Sequence, residues 1–448
     1  MSLFNVLVKK GFLSAYDMLM RTSVGDSLQF LNDSQWWSKN ELVEYQNRNF
    51  LELFQYASAN VPFYQNLYKS KGIRSSDIQS LDDITRLPVV TKEMLRSAGK
   101  DQIIGIPYQN RNILRFRSSG STGSPFEYFM CHKSYSLKYA AGIRGWGWMG
   151  YQLGDKYAKL SQNERQTKLK KLQDVLNRNV YIFIPDLKED NIKAVLAKLN
   201  QTKPPFIRCY PDPLVFIADY IAKKGSLNFK PKAINSTGNI LTPEARNKIE
   251  TAFQCPVYDS YSVEGSALFY QVQGETCYLG AAEQAVTEIM NGNTEVSPGE
   301  EGQHITTDLH NYAMPFIRYN TGDRLVKGIQ KEYSGRNLIS VEKIVGRDSD
   351  VLITPEGNRL IVHLFTIYFE YIESIISFQV EQTKSDTFIF RFVVTKDFSK
   401  ETESKIRSYW QPKIGKNSKL HIESVDKIPA MPSGKRRFLI RNKNITLS

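Results

Sequence analysis

Apolar residues recur along this chain in two different periods. Residues 169–176 and 192–199 carry them at helical spacing. Between and after these stretches, the short apolar runs 180–184, 206–210 and 233–235 are typical of buried strands. Because helices and strands alternate, this part of the sequence predicts an α/β sheet.

Two helix starts are marked by capping residues. Thr91 precedes Glu93 in the sequence and predicts a helix start, since a threonine oxygen can accept a hydrogen bond from a first-turn N–H. Thr242 is followed by Pro243 and Glu244, a first-turn proline and an acid that the helix dipole favours. We therefore predict a second helix over residues 245–253.

The pattern changes after about residue 280, where strands are separated by Gly and Asn turns. The predicted strands there are 285–290, 303–309, 316–319 and 339–345. The last hundred residues predict a small α+β unit, with strands at 388–395 and 419–425 and a helix at 400–410. A polar stretch at residues 346–350 lies between two apolar strands and predicts the domain boundary.

Composition fits a globular protein of at least two domains. The 448 residues are 41% hydrophobic and 23% charged, and 18 consecutive apolar residues do not occur. The net charge of +13 is spread among acidic residues rather than clustered, which argues against nucleic acid as a partner. The four cysteines form no CxxC pair, so we expect no zinc site and a reducing, cytoplasmic setting.

The N-terminal segment, residues 1–20, mixes Leu, Phe and Val with Lys9, Lys10 and Asp17. It has no clean apolar core or small-residue cleavage site, so no signal peptide is predicted. The pattern favours a helix packed on the domain and leaves open an amphipathic helix in peripheral contact with a membrane.

A loop rich in glycine and hydroxyl groups follows a predicted strand at residues 112–117. Its residues are Ser118, Ser119, Gly120, Ser121, Thr122, Gly123, Ser124 and Pro125. Glycine lets the backbone approach a ligand, and hydroxyl and N–H groups donate to anionic oxygen. The loop lacks the glycine spacing and the Lys-Ser/Thr ending of a Walker loop. Alone, it is as typical of an exposed turn as of a polyphosphate site.

Two further segments carry candidate chemistry near the predicted sheet. Residues 236–239, with Gly238, lie between a strand and a capped helix, where open α/β sheets bind ligands. Residues 258–265 place an aromatic and an acid three positions apart, Tyr261 and Glu264, after an apolar strand.

Two more candidate segments lie nearer the C-terminus. Residues 318–323 predict a strand running into a turn that ends in the carboxylate of Asp323. Residues 431–437 predict a tight turn that presents Lys435. Taken singly, each of these residues is more often a core, turn or surface residue than a functional one.

In this order the motifs resemble the adenylate-forming superfamily of acyl-CoA ligases. Within it they resemble the phenylacetate–CoA ligase branch that includes CapK-type capsular polysaccharide proteins. The resemblance extends from about Thr91 to Lys435 and is carried by residues 118–125, 261–264, 319–323, 346–347 and 432–435. It implies a large N-terminal ATP- and acyl-binding domain of α/β sheets, residues 1–346. It also implies a small mobile α+β C-terminal domain, residues 347–448, that acts as a lid.

The resemblance implies that Lys435, Glu264 and Thr122 are catalytic. Thr122 and Glu264 would meet Mg²⁺, a hard cation that prefers oxygen ligands. Lys435, carried by the mobile domain, would lie between the substrate carboxylate and the α-phosphate, where charge builds as the acyl-adenylate forms.

The resemblance also implies an ATP site. Asp323 would accept hydrogen bonds from both ribose hydroxyls, and Arg347 would contact the same ribose. The residues implied for ATP binding are Ser118, Ser119, Gly120, Ser121, Thr122, Gly123, Gly238, Asp259, Ser260, Tyr261, Asp323 and Arg347.

The second step implied by the resemblance requires the C-terminal domain to rotate about a hinge at Ser349, which Asp348 and Asp350 flank. The rotation would withdraw the lysine and open a channel for a thiol or amine. Ser349 stands where relatives often have Asp or Lys, and Ser124 stands where the phosphate loop often has Lys. These departures predict a divergent member.

The predicted function is ATP-dependent activation of a small carboxylic acid, followed by transfer of the acyl group. The acceptor is CoA or an amine on a sugar or amino acid, the latter in capsular or surface polysaccharide assembly. The alternative is a non-catalytic nucleotide-binding or interaction protein of a polysaccharide system. Residues 139–148 either border the acyl pocket or form a structural helix. Arg144, within this segment, pairs either with a second carboxylate on the substrate or with Asp155.

Overall fold

The computed structural model of the protein describes residues 17–18, 21–117, 126–161, 167–184, 189–225, 227–347, 351–356, 359–361, 365, 368–369, 372, 374–429, 437–442 and 445. The glycine-rich loop at 118–125, the predicted hinge at Asp348, Ser349 and Asp350, and Lys435 lie outside these residues, as does most of the N-terminal segment.

The chain forms two compact units, one within residues up to Val345 and one beginning at Gly346. The α-helices of the first unit are α1 Val24–Ser34, α2 Lys39–Asn60, α3 Pro62–Ser70, α4 Lys92–Ala98, α5 Lys100–Ile103, α6 His132–Gly147, α7 Lys168–Leu176, α8 Glu189–Thr202, α9 Pro211–Lys224 and α10 Pro243–Phe253. Short 3₁₀ helices lie at Ser75–Asp77, Leu81–Arg86 and Ile106–Tyr108. Over the described ranges, every helix is too short or too polar to cross a bilayer.

The strands of the first unit are β1 Leu114–Arg117, β2 Glu127–Met130, β3 Tyr157–Ser161, β4 Asn179–Phe183, β5 Phe206–Cys209, β6 Ala233–Thr237, β7 Val257–Ser262, β8 Leu268–Gln271, β9 Tyr278–Gly280, β10 Ala285–Asn291, β11 Thr294–Glu295, β12 Glu301–Asp308, β13 Tyr319–Lys327 and β14 Ser340–Arg347. Among the described residues, β3 to β14 form one sheet in the order β11-β10-β12-β13-β14-β9-β8-β7-β6-β5-β3-β4. The strands β1 and β2 form a separate antiparallel pair.

The parallel half of the sheet confirms the prediction from alternating helices and strands. The five strands β3 to β7 lie side by side in the order β7-β6-β5-β3-β4, and each neighbouring pair is parallel. The chain segments that connect these strands contain helices α7 to α10. Both predicted caps are present: the Thr91 side chain accepts from Met94 N at 3.2 Å, and Thr242 accepts from Ala245 N at 3.0 Å. The apolar residues of these strands and helices bury one another, with Ile207, Leu199 and Ile234 almost inaccessible.

The predicted strand at residues 316–319 is wrong except at its last residue, because β13 begins at Tyr319. Phe316 and Ile317 are buried as irregular chain, and Arg318 has φ +46°. Side chains replace the strand partners: the Tyr64 hydroxyl donates to Pro315 O at 3.0 Å and accepts from Ile317 N at 2.9 Å. An apolar run can therefore be buried without joining the sheet.

The second unit has its own sheet and core. Its strands are β15 Val351–Ile353, β16 Arg359–Ile361, β17 Ile375–Lys384, β18 Thr387–Val394, β19 Lys419–Ser424 and β20 Leu439–Arg441, and its helix is α11 Lys400–Ile414. The order β19-β18-β17-β20 mixes antiparallel and parallel pairs. Every second residue of β18 from Phe388 to Phe392 is buried, and Trp410 of α11 stacks on Phe365 with ring centroids 4.2 Å apart. The predicted α+β unit is confirmed.

Candidate active site

The described candidate residues of the first unit lie on strands β7 and β13 and on the turns that follow β6 and β7, and Arg347 is the last residue of β14. Gly238 follows β6, Asp259, Ser260 and Tyr261 belong to β7, and Glu264 follows β7. The segment 258–262 is thus part of the strand itself, rather than following it as predicted. Thr237 pairs with Ser260 at the carboxyl ends of the parallel strands β6 and β7, which is the edge where open α/β sheets bind ligands.

The turn after β6 requires the glycine that the sequence places there. Gly238 has φ +87°, a conformation that is strained for residues with a Cβ. The Thr237 hydroxyl donates to Ser260 O at 3.2 Å, and Asn239 Nδ2 donates to Asp212 Oδ2 at 2.7 Å. These bonds hold the turn between β6 and α10 in place.

Asp323 is positioned by a bulge in β13, so the predicted strand ending in a turn is wrong here. Pairing between β12 and β13 shifts register, because Ile305 pairs with Asn320 and Gln303 pairs with Arg324. Three residues, Thr321 to Asp323, therefore lie opposite His304 alone, with Gly322 at φ +77°. The Thr321 hydroxyl donates to His304 O at 3.1 Å and accepts from Asp323 N at 3.1 Å. The bulge turns the Asp323 side chain towards β7.

The structure brings Tyr261 and Asp323 into direct contact, although 62 residues separate them in sequence. The Tyr261 hydroxyl donates to Asp323 Oδ2 at 2.6 Å. The same hydroxyl lies 3.1 Å from His304 Nδ1. His304 is fully buried, and burial lowers the pKa of its imidazole to about 3. His304 is not predicted from the sequence, because a lone histidine in a strand carries no signal of its own.

The side chains of Asp259 and Ser260 are engaged within the sheet. The Asp259 carboxylate is buried, and its Oδ2 accepts from the Tyr278 hydroxyl at 2.8 Å. Burial raises the pKa of Asp259 to about 6. The Ser260 hydroxyl donates to Ser236 O at 3.1 Å and contacts the Asn235 amide. Among these three strand residues, Tyr261 is the one whose side chain meets Asp323.

The raised pKa of Asp259 predicts a pH-dependent change in stability. Between pH 3.8 and about 6 the folded protein holds a proton that the unfolded chain releases, so stability falls as the pH rises through this range. Asp259→Asn removes this dependence. We expect its free energy of unfolding, relative to the parent protein, to increase by up to about 3 kcal/mol between pH 4 and pH 7.

Urea unfolding at several pH values measures this difference. Asp190→Asn, at a position where the side chain is 96% exposed, is the matched control for replacing a carboxylate by an amide. A difference for Asp259→Asn that stays constant over this range would contradict the assignment.

Two lysine side chains lie near Glu264. Lys92, the first residue of α4, places Nζ 3.9 Å from Glu264 Oε1. Lys138 of α6 donates to the neighbouring Val263 O at 3.2 Å. Burial lowers the pKa of Lys138, while the nearby Asp308 and Glu264 carboxylates oppose that shift. Neither lysine is predicted from the sequence.

The turn that carries Glu264 is fixed by Gly265. This glycine has φ +81°, and a Cβ there would lie 2.9 Å from Cγ2 of Thr306. The Glu264 carboxylate is buried, and within the described ranges it accepts no hydrogen bond from the protein. A hard-oxygen ligand of this kind fits Mg²⁺. No cluster of three or more His, Cys, Asp or Glu side chains that could hold a metal ion occurs in the described part of the chain.

Arg144 on α6 pairs with a carboxylate of the protein. Its guanidinium makes two bonds to Glu283, Nη1 to Oε1 at 2.6 Å and Nη2 to Oε2 at 3.1 Å. Nη1 also donates to Leu31 O at 3.0 Å. Both ionic side chains are almost completely buried. The partner of Arg144 is therefore Glu283 rather than Asp155, and α6 has a structural role at this position.

Comparisons with known proteins agree with this architecture. Residues 352–442 match the CapK C-terminal domain family. The chain is 27% identical to Protein CapK of Staphylococcus aureus over a comparison of 428 residues, with 90% of each chain covered. It is 24% identical to phenylacetate-coenzyme A ligase of Aromatoleum evansii over a comparison of 350 residues, with 70% of this chain and 72% of that one covered. The chain is a homologue of CapK and the phenylacetate–coenzyme A ligases.

The fold of this CapK homologue matches solved adenylate-forming enzymes. A 2-hydroxyisobutyryl-CoA ligase in the postadenylation state, in complex with an acyl-AMP, superposes with a TM-score of 0.71 and 18% identity over 91% of each chain. The resemblance to the adenylate-forming superfamily is confirmed, and so is the predicted fold class.

Proposed function

We propose that this CapK homologue is an ATP-dependent ligase that activates a small carboxylic acid. The acid would be converted to an acyl-adenylate with release of pyrophosphate, and the acyl group would then pass to CoA or to an amine on a sugar or amino acid. The sequence similarity to CapK favours a role in capsular or surface polysaccharide biosynthesis.

The contact between Tyr261 and Asp323 is the observation that carries this proposal. The two residues come from separate motifs, each of which the family resemblance associates with adenosine, and their side chains are joined at 2.6 Å. A carboxylate with two oxygens can accept from two neighbouring ribose hydroxyls. The Gly238 turn lies next to β7 at the carboxyl edge of the parallel strands, which supports an adenine-binding role for that turn.

In the first step, the oxygen of the acid attacks the α-phosphorus of ATP, and the bond to the leaving pyrophosphate breaks. Lys435 would balance the negative charge that builds between the carboxylate and the α-phosphate. The loop from Ser118 to Gly123 would donate hydroxyl and N–H groups to the β- and γ-phosphates. Lys92 and Lys138 add positive charge near Glu264. This charge would offset the loss of the loop lysine that relatives often have at the position of Ser124.

Glu264 and Thr122 are the residues that would hold Mg²⁺. The metal would supply charge neutralisation at the phosphate oxygens. Glu264 is suited to this role because its carboxylate has no hydrogen-bond donor among the described residues and is held by the Gly265 turn.

In the second step, a thiol or an amine would attack the acyl carbon of the adenylate, and AMP would be the leaving group. The same 2-hydroxyisobutyryl-CoA ligase is known in complex with 2-HIB-AMP and CoA in the thioesterification state, and that structure matches this chain with a TM-score of 0.62. This supports CoA as one acceptor. The change of state would come from rotation of residues 347–448 about Ser349.

Exchange of labelled pyrophosphate into ATP, measured across a panel of carboxylic acids, tests the proposal. Exchange that depends on one acid establishes adenylation and identifies the substrate class. Thioester or amide formation with that acid then separates CoA from an amine acceptor. If ATP binds and no acid supports exchange, the protein is the non-catalytic nucleotide-binding alternative.

Glu264→Gln should lower the exchange rate roughly 100-fold or more, because the amide keeps the shape of the side chain and removes the charge that attracts the metal. Glu332→Gln, at an exposed position, is the matched control and should leave the rate unchanged. A rate for Glu264→Gln equal to that of the control would refute the metal-binding role.

A further inference from the structure

His304 is a buried polar residue for which the proposed reaction has no use. It lies on β12 opposite the β13 bulge and is inaccessible to solvent. Its ring packs against Tyr261 and Phe269, with centroids 5.7 Å and 6.0 Å away. Nε2 is buried and has no hydrogen-bond partner among the described residues. An apolar side chain would fill this place without leaving a buried acceptor unsatisfied, so the imidazole requires an explanation.

The hydrogen-bond geometry fixes the tautomer of this histidine. The Tyr261 hydroxyl has one proton, and a carboxylate is an acceptor only, so the proton at the 2.6 Å contact goes to Asp323. The phenolic oxygen must then accept at its other contact, where His304 Nδ1 lies at 3.1 Å. His304 therefore carries its proton on Nδ1, and the unpartnered Nε2 is the deprotonated nitrogen.

The three side chains form a directed chain of hydrogen bonds from His304 through Tyr261 to Asp323. If the imidazole did not donate, the Tyr261 hydroxyl could rotate and turn its proton away from the carboxylate. A phenol that accepts a hydrogen bond is also a stronger donor, since chains of hydrogen bonds polarise one another. His304 thus acts on Asp323 without touching it.

We propose that His304 is a positioning residue for nucleotide binding, which orients the Asp323 carboxylate towards the ribose hydroxyls by way of the Tyr261 hydroxyl. The inference rests on the proposed function, because it takes Asp323 as the group that binds the ribose. It adds a residue outside the motifs of the sequence, recruited by the register shift between β12 and β13.

Titration calorimetry with ATP and with 2′,3′-dideoxy-ATP tests this role. His304→Leu should weaken ATP binding roughly 5-fold to 10-fold, the value of one hydrogen bond. Its affinity for dideoxy-ATP should equal that of the parent protein, because that nucleotide lacks the hydroxyls that Asp323 would bind. Tyr261→Phe should show the same selective loss, and adding His304→Leu to it should cause no further loss.

Two amide variants keep the test independent of folding defects. The amide of His304→Asn lies near the position of Nδ1 and should restore ATP affinity, whereas the longer His304→Gln places its amide near Nε2 and should behave like the leucine variant. Equal losses for ATP and dideoxy-ATP, or unchanged ATP affinity in His304→Leu and His304→Gln, would overturn the inference. Failure of the parent protein to bind ATP would instead refute the proposed function, and this inference with it.

Discussion

Lys435→Ala is expected to abolish acyl-adenylate formation while leaving the transfer from supplied acyl-AMP intact. Adenylation places the substrate carboxylate next to the α-phosphate, and the ammonium group would stabilise the charge that builds between them. Removal of one such preorganised group typically lowers a rate on the order of 10²–10³-fold. In the transfer step the lysine would have moved away with the C-terminal domain, so its loss should matter little.

The two half-reactions can be measured separately in the same preparation. Pyrophosphate exchange reports adenylation, and consumption of chemically prepared acyl-AMP in the presence of the acceptor reports transfer. Lys427→Ala is the matched control, since Lys427 is exposed and precedes the same segment. Loss of both half-reactions in Lys435→Ala would contradict the assigned role, and so would a variant that retains full exchange.

The largest expected effect on stability comes from the buried pair of Arg144 and Glu283. Glu283→Met would leave the guanidinium as an uncompensated charge in the interior of the first unit, where the exposure of the Arg144 side chain is 2%. The single change should cost about 3–5 kcal/mol of unfolding free energy. Arg144→Met should cost a similar amount, because the buried Glu283 carboxylate would lose its cationic partner. Among the described residues, its remaining side-chain donor would be the Ser34 hydroxyl, at 2.7 Å.

Replacing both ionic residues together distinguishes charge burial from packing. The double variant Arg144→Met with Glu283→Met removes both charges, so its loss should be well below the sum of the two single losses. Lys193→Gln breaks an exposed pair with Glu189 on α8 and should cause no measurable change. Urea unfolding monitored by tryptophan fluorescence measures the stability of the four variants and of the parent protein. Strictly additive losses would show that the ion pair is not the cause.

Local patterns in the sequence predicted much of the fold. The caps at Thr91 and Thr242 and the apolar runs of β4 to β6 depend on neighbours a few residues away, and the structure has them where expected. The error at residues 316–319 has a long-range cause. Tyr64 satisfies the backbone of this segment from 253 residues away, and no local pattern contains that partner.

The candidate site divides in the same way. The motifs of the sequence point to Tyr261, Glu264 and Asp323, because their residue types and spacing resemble those of a known family. They do not say that Tyr261 and Asp323 touch, since that contact depends on the bulge opposite His304. They also give no sign that Lys92 approaches Glu264, which depends on where α4 packs.

The sequence by itself predicted an α/β fold, because this follows from periodicity and capping. It also determined the order of the motifs, and their resemblance to a known superfamily implied the chemistry they would support. The tertiary structure alone decided which buried groups meet. Arg144 meets Glu283 across 139 residues, and His304 meets Tyr261 across 43. The reason is physical: a buried polar atom must find a partner, and strand register and helix packing, rather than sequence neighbours, determine which partner is within reach.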